Sequence, residues 1–146
     1  MACWCEVVRQ EPELAAAVLR RFQAHKHKTI ATLRRDGSPR ISGIECEVVD
    51  GELQFGSMWM AMKARDLLRD GRFALHSGTD DPPDWDGDAK IAGTVRPQTA
   101  ENESQGRHHV FKADITEIVL VSLNESRDKL VVQSWHEGRG RERVER

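Results

Sequence analysis

Arg40-Ile41-Ser42-Gly43, Phe55-Gly56-Ser57 and Lys63 are the residues of this 146-residue chain whose types and order suit the capture of an anion. Two cations, two hydroxyls and a run of backbone N–H groups, brought together where strands end and a helix begins, match the oxygens of a phosphate monoester. Met58-Trp59-Met60-Ala61-Met62 follows at once. Thioethers and an indole make an apolar wall against a planar ring, and the same cluster would equally fill a barrel end or a dimer interface. Trp135, on the last apolar segment, has the same two uses, core or ring cover.

Other chemistries find less support. His25 and His27 alternate and His108-His109 is an adjacent pair, but neither supplies three metal ligands at a known spacing. Cys3-Trp4-Cys5 has no second cysteine pair to complete a zinc ribbon, so no metal site is expected. A bridge across a single residue would be strained, and the three cysteines read as reduced thiols. His76-Ser77 lacks a nucleophile elbow, and Asp80 to Asp88 lacks the spacing and terminal Glu of a calcium loop. No catalytic acid or base can be named.

Composition narrows the partners. With 22 basic and 24 acidic residues the net charge is −2, the wrong balance for a nucleic-acid binder. No apolar run reaches the roughly 18–20 residues of a membrane span, and a secretory segment is not evident. A soluble cytoplasmic protein with no membrane partner is the expectation.

The elements that must position these residues follow from periodicity. A helix is predicted over Pro12 to Ala24, with Leu14, Val18 and Phe22 on one stripe. Strands are predicted at Thr29–Leu33, Arg40–Val49 with a slip or bulge near Gly43, and Leu53–Phe55, joined by Asp36-Gly37-Ser38-Pro39 and Asp50-Gly51 turns. A short helix over Met60–Asp70 carries Ala61, Ala64, Leu67 and Leu68. Further strands are placed at Phe73–Ser77, Ala89–Val95, Ile118–Leu123 and Leu130–Trp135, with alternation also at Phe111, Ala113 and Ile115. Pro97 to His109 reads as a polar loop, and residues 1–10 and 138–146 as flexible ends. One domain results, mainly β with minor helices: a split β-barrel of six to seven antiparallel strands.

The order Ala31 to Ser42, then Asp50 to Ser57, then Lys63 to His76 resembles the pyridoxamine 5'-phosphate oxidase-like family, the FMN-binding split barrels. The resemblance implies a homodimer with FMN in a groove between subunits, the deazaflavin coenzyme F-420 being the alternative, held by Lys26 and Lys28. It implies that Arg40, Ile41, Ser42 and Lys63 hold the cofactor phosphate, and that Gly56 and Ser57 lie near the ribityl chain and ring. Met58, Trp59 and Met62 shape the ring pocket, and Trp135 of the partner subunit covers it. The chain departs from the pattern at Met62, where a basic residue is common, and at Ala61, where a small hydroxylic residue is common. The C-terminal arginine and histidine motif that binds substrate in true oxidases has no match in Trp135 to Arg141. The implied activity is oxidoreduction of an unidentified small molecule; the departures also leave room for a non-catalytic cofactor-binding or stress-response module.

Overall fold

The computed structural model describes residues 2–104 and 106–146 of the chain. Its elements in chain order are α1 (Trp4–Gln10), α2 (Pro12–Gln23), β1 (Lys28–Leu33), β2 (Pro39–Ile44), β3 (Cys46–Val49), β4 (Glu52–Met58), α3 (Met62–Arg69), β5 (Arg72–His76), β6 (Asp88–Asn102), β7 (Gly106–Leu123), β8 (Leu130–His136) and β9 (Gly140–Glu145).

The strands pair antiparallel in the order β2-β1-β5-β6-β7-β4-β3, with β8 on β7 and β9 beyond it. The two ends of that path, β2 and β3, are consecutive in the chain with Glu45 alone between them. One residue cannot span an open sheet, so the sheet must curl until its edges meet, and the seam between β2 and β4 is crossed by covalent chain instead of ladder hydrogen bonds. This is the expected split barrel.

Local chemistry explains the turns. Asp50 and Gly51 have φ of +51° and +77°, the pair of left-handed residues that a two-residue hairpin between right-twisted strands requires. In the β1–β2 turn the Ser38 N–H donates to Asp36 Oδ1 at 3.0 Å. The helix stripe packs as expected: Leu14, Val18 and Phe22 are buried on α2, which covers β6 and β7. Each such side chain is worth about 1.5–3 kcal/mol on burial. Inside the barrel Phe55 packs edge-on to Phe73 at 5.3 Å and beside Phe111 at 6.0 Å.

Four expectations are corrected. Pro97 to His109 is not a loop: β6 and β7 stay paired from Asp88↔Val121 to Asn102↔Gly106, forming a long hairpin arm. Most of Arg96–Asn102 is exposed, so no buried face printed an alternation there. The register slip lies between Ala92 and Gly93 on β6, whereas β1 and β2 pair without a break through Gly43. The ends are ordered. Residues 140–145 form an edge strand whose charges belong to its exposure, and α1 buries Trp4 and Val7. Finally, Cys3 and Cys5 form a disulfide. Cys3 is the N-cap of α1, and the chain turning into the helix brings the two Cα atoms to 5.3 Å, an ordinary bridging distance.

The bulge gives a stability test. A Cβ on Gly93 would run into the Asp114 carbonyl oxygen on the paired strand, which is backbone and cannot swing away. Gly93→Ala is expected to cost about 3 kcal/mol or more in urea unfolding, the upper end of overpacking penalties. Gly43→Ala, where nothing lies within 4 Å of the added carbon, should change stability by less than about 1 kcal/mol. Equal effects would show that the bulge is not a tight approach.

Candidate functional site

The seam between β2 and β4 opens into a groove of about 1030 Å³. Gly56, Ser57, Met58 and Trp59 from the end of β4, Lys63 from α3, Lys26 to Lys28 from the start of β1, and Arg107 and His108 from the β6–β7 arm line it. On β4 the buried face carries Leu53, Phe55 and Ser57, which leaves Gly56 and Met58 on the other face, Met58 being 81% exposed. A Cβ on Gly56 would meet the His109 carbonyl at 3.6 Å, an ordinary contact, so that glycine is not demanded by packing; its missing side chain widens the groove.

Two crosslinks fix α3 against β2. Lys63 Nζ donates to the Gly43 carbonyl at 2.9 Å, and Arg40 Nε donates to Asp66 Oδ2 at 2.7 Å. Asp66 is 1% exposed and also accepts from Thr32 Oγ1 at 2.8 Å and from Arg69 at 3.1 Å. Burial by itself pushes the Asp66 carboxyl up, but the donors from Arg40, Thr32 and Arg69 outweigh it and hold the group below the usual carboxylate range. Two guanidinium groups share this one carboxylate, so positive charge remains in surplus. Lys63 donates to a neutral acceptor and has no acidic partner among the described residues.

The turn from β4 into α3 is strained and braced. Met60 has φ of +55°, rare for a residue with a side chain. Its N–H donates to His109 Nε2 at 3.1 Å. That bond makes Nε2 an acceptor, so the imidazole is neutral with its proton on Nδ1. Burial, then the Arg107 and His108 charges, hold the His109 pKa below the ordinary histidine value. The Cys46 thiol, also on the groove wall, is pushed up by burial to about 11 and stays protonated, so it is no nucleophile at neutral pH.

No protein-family model matches the chain, and no curated protein matches it in sequence. Solved structures do. PhzG from Burkholderia lata, in complex with tetrahydrophenazine-1-carboxylic acid, superposes with a TM-score of 0.66 at 12% identity, covering 96% of this chain and 91% of that one. A pyridoxamine 5'-phosphate oxidase-related, FMN-binding protein from Nostoc punctiforme gives 0.65 at 9% identity, with 90% and 94% covered. An F420 reductase gives 0.54 at 16%, with 70% and 93% covered. This chain has the pyridoxamine 5'-phosphate oxidase-like split-barrel fold. Identities this low speak for fold and leave activity to the site.

Within that fold the residues read from the sequence divide. Gly56, Ser57, Met58 and Lys63 share the groove, whereas Arg40 and Met62 line a neighbouring hollow with Arg65, Asp66 and Arg69. Arg40 and Gly43, the anchor points on β2, are three residues apart, roughly 10 Å along a strand, so Arg40 and Lys63 stand at the two ends of the β2–α3 seam. Ile41 is 75% exposed, and Ser42 is half-buried. Trp135 is 2% exposed and belongs to its own core. Sequence reasoning missed Asp66, His109 and Arg107. The spacing of Lys63 and Asp66, three apart on one helix face, was the available signal for the first.

Two tests follow from these groups. Asp66→Asn leaves Arg40 and Arg69 without their shared carboxylate. An expected loss of about 2–4 kcal/mol, somewhat less than for a wholly buried pair, would be read from urea midpoints. For His109 the sign is set by its lowered pKa. Above about pH 6.5 it is neutral in both states and its contribution is complete; below that the unfolded chain takes up the proton first, and stability falls until the lower native value is reached. The drop in stability between pH 7.5 and pH 5 should therefore be larger in the wild type than in His109→Phe, and parallel pH profiles would remove His109 from the acid response.

Proposed function

We propose that this groove holds a flavin-type cofactor and that the protein is a flavin-dependent oxidoreductase acting on a small molecule, as a homodimer. One observation carries the reading. On a scaffold shared with FMN-binding proteins, the groove has a glycine on its floor and, at its rim, a lysine whose charge has no acidic partner among the described residues.

The residues present fit the group. A phosphate dianion answers the positive surplus of the groove, where Lys26, Lys28, Lys63 and Arg107 stand against Glu45 and Glu47. A groove of about 1030 Å³ is at the upper end of the range for ligand sites, roughly 300–1,000 Å³. Lys63 would neutralise the phosphate, while Arg40, paired with Asp66 in the neighbouring hollow, docks α3. The Ser57 hydroxyl is buried and donates to the Met58 carbonyl at 3.1 Å, which holds the end of β4, and Met58 sets a thioether against the ring face. Bound there, a flavin supplies transfer of hydride or electrons. The protein's part is to hold the phosphate, exclude water and present one ring face. A second copy would cover Met58, Met62 and Ile41, which are 81%, 51% and 75% exposed. Trp135, held in its own core, has no part in this proposal as a cover for the neighbouring site.

A second reading keeps the groove and exchanges the cofactor for the deazaflavin coenzyme F-420, since Lys26 and Lys28 line the same space. Titration with each cofactor, followed by fluorescence, separates the two. FMN is expected to bind, and Lys63→Ala to weaken it about 10-fold or more, the value of a charge-assisted hydrogen bond of roughly 1.5–3 kcal/mol. Preference for F-420 would move the assignment to the second reading, and uptake of neither would end both.

A further inference from the structure

The disulfide between Cys3 and Cys5 closes a loop with Trp4 alone inside it. What a bridge contributes by restricting the unfolded chain grows with the length of the loop, so this one contributes little to stability. Nor is it needed to hold the N-terminal segment on the barrel. The Ile115 N–H donates to the Ala2 carbonyl at 2.7 Å on one side of the bridge, and the Cys5 N–H donates to the Gly51 carbonyl at 2.9 Å on the other. Trp4 and Val7 are buried between α1 and the sheet. The fold therefore keeps both cysteines in place whether the bond between them is open or closed.

The two sulfurs stand in different surroundings. Cys5 is exposed, and the glycine in the neighbouring hairpin leaves it room, since a Cβ on Gly51 would come within 3.2 Å of the Cys5 Cβ. Cys3 is half-buried, and its Sγ accepts from the Glu6 N–H at 3.2 Å. An amide N–H bonds a thiolate more strongly than a neutral sulfur, so it favours departure of Cys3 as the anion. The Glu6 carboxylate, which would oppose an anion beside it, is paired with Arg9. One sulfur is thus open to attack and the other is prepared to leave. Cys46, whose thiol burial keeps protonated, has neither property.

We propose that Cys3 and Cys5 form a thiol–disulfide exchange site for low-molecular-weight thiols, with Cys5 the sulfur attacked and Cys3 the leaving group. The thiolate of an incoming thiol bonds to Cys5 Sγ as the Cys3–Cys5 bond breaks, and Cys3 departs with the electron pair and takes up a proton. A second thiol then attacks the incoming sulfur of the mixed disulfide and releases Cys5 as a thiolate, which is protonated in turn. Two external thiols are oxidised to their disulfide while the protein bridge is reduced to two thiols. Gly51 and Met58 lie at opposite ends of β4, roughly 20 Å apart along a strand, so the site stands away from the groove and does not rest on the flavin reading.

The full chain equilibrated in mixtures of reduced and oxidised glutathione, then alkylated and weighed, tests the proposal. As the mixture becomes more reducing, the chain is expected to gain two alkylated cysteines, reversibly and with unchanged far-UV circular dichroism, while Cys46 reacts only after unfolding in urea. A bridge that opens only in unfolding urea, or whose opening unfolds the chain, overturns the proposal. The direction is read from single variants. Cys3→Ser, which keeps the exposed sulfur, should take up glutathione from its disulfide several-fold faster than Cys5→Ser; the opposite order, or equal rates, overturns the assignment of Cys5 as the point of attack.

Discussion

The joint at Glu45 is the constraint on which the rest of the molecule depends. Because β2 and β3 occupy opposite edges of one sheet yet follow each other directly, the sheet has no open arrangement available. Closure by chain instead of by hydrogen bonds leaves a seam. The seam is where a groove can form without unsatisfied backbone, since the neighbouring carbonyls find other partners, as Gly43 does in Lys63. The site is thus a consequence of how the barrel closes.

The same economy appears in α3. This helix is eight residues long, too short to be stable alone, and only Ala64, Asp66 and Leu67 of it are buried. Its docking relies on polar crosslinks to β1 and β2, with Asp66 taking Thr32 and Arg40 and with Lys63 reaching back across the seam. A cation that docks a helix through a neutral carbonyl keeps its charge available. Arg40 has given part of its charge to a carboxylate, and Lys63 has not. The division between a structural and a ligand-binding cation is therefore written in the chemistry of their acceptors.

Much of the architecture was legible because buried faces impose periodicity: the α2 stripe, the Asp50-Gly51 hairpin and the alternation of Leu53 and Phe55 all stand as read. What escaped lies where no buried face exists. The β6–β7 arm is polar on both sides over much of its length, and β9 is a charged edge, so neither shows the period-two signal of a half-buried strand. The site was legible in its β4 and α3 parts, which are contiguous in sequence. Arg107 and His109 belong to it only because β7 returns beside β4, pairing His109 with Ser57 and His108 with Met58. No local pattern carries a register between strands fifty residues apart.

Met60 ties these strands of reasoning together. A left-handed residue with a side chain typically costs about 1–3 kcal/mol and persists only where its surroundings over-determine it. Here it turns the chain out of β4 so abruptly that Trp59 falls back onto β7, and the N–H exposed by the turn finds the His109 imidazole. The histidine must stay neutral to accept that bond, and it can do so because burial first, and the Arg107 guanidinium second, disfavour the imidazolium. Strain, tautomer and charge are then one coupled arrangement. The cation that helps keep His109 neutral also packs over Trp59, so the device that stabilises the turn sets one more cation, beside Lys26, Lys28 and Lys63, at the groove wall.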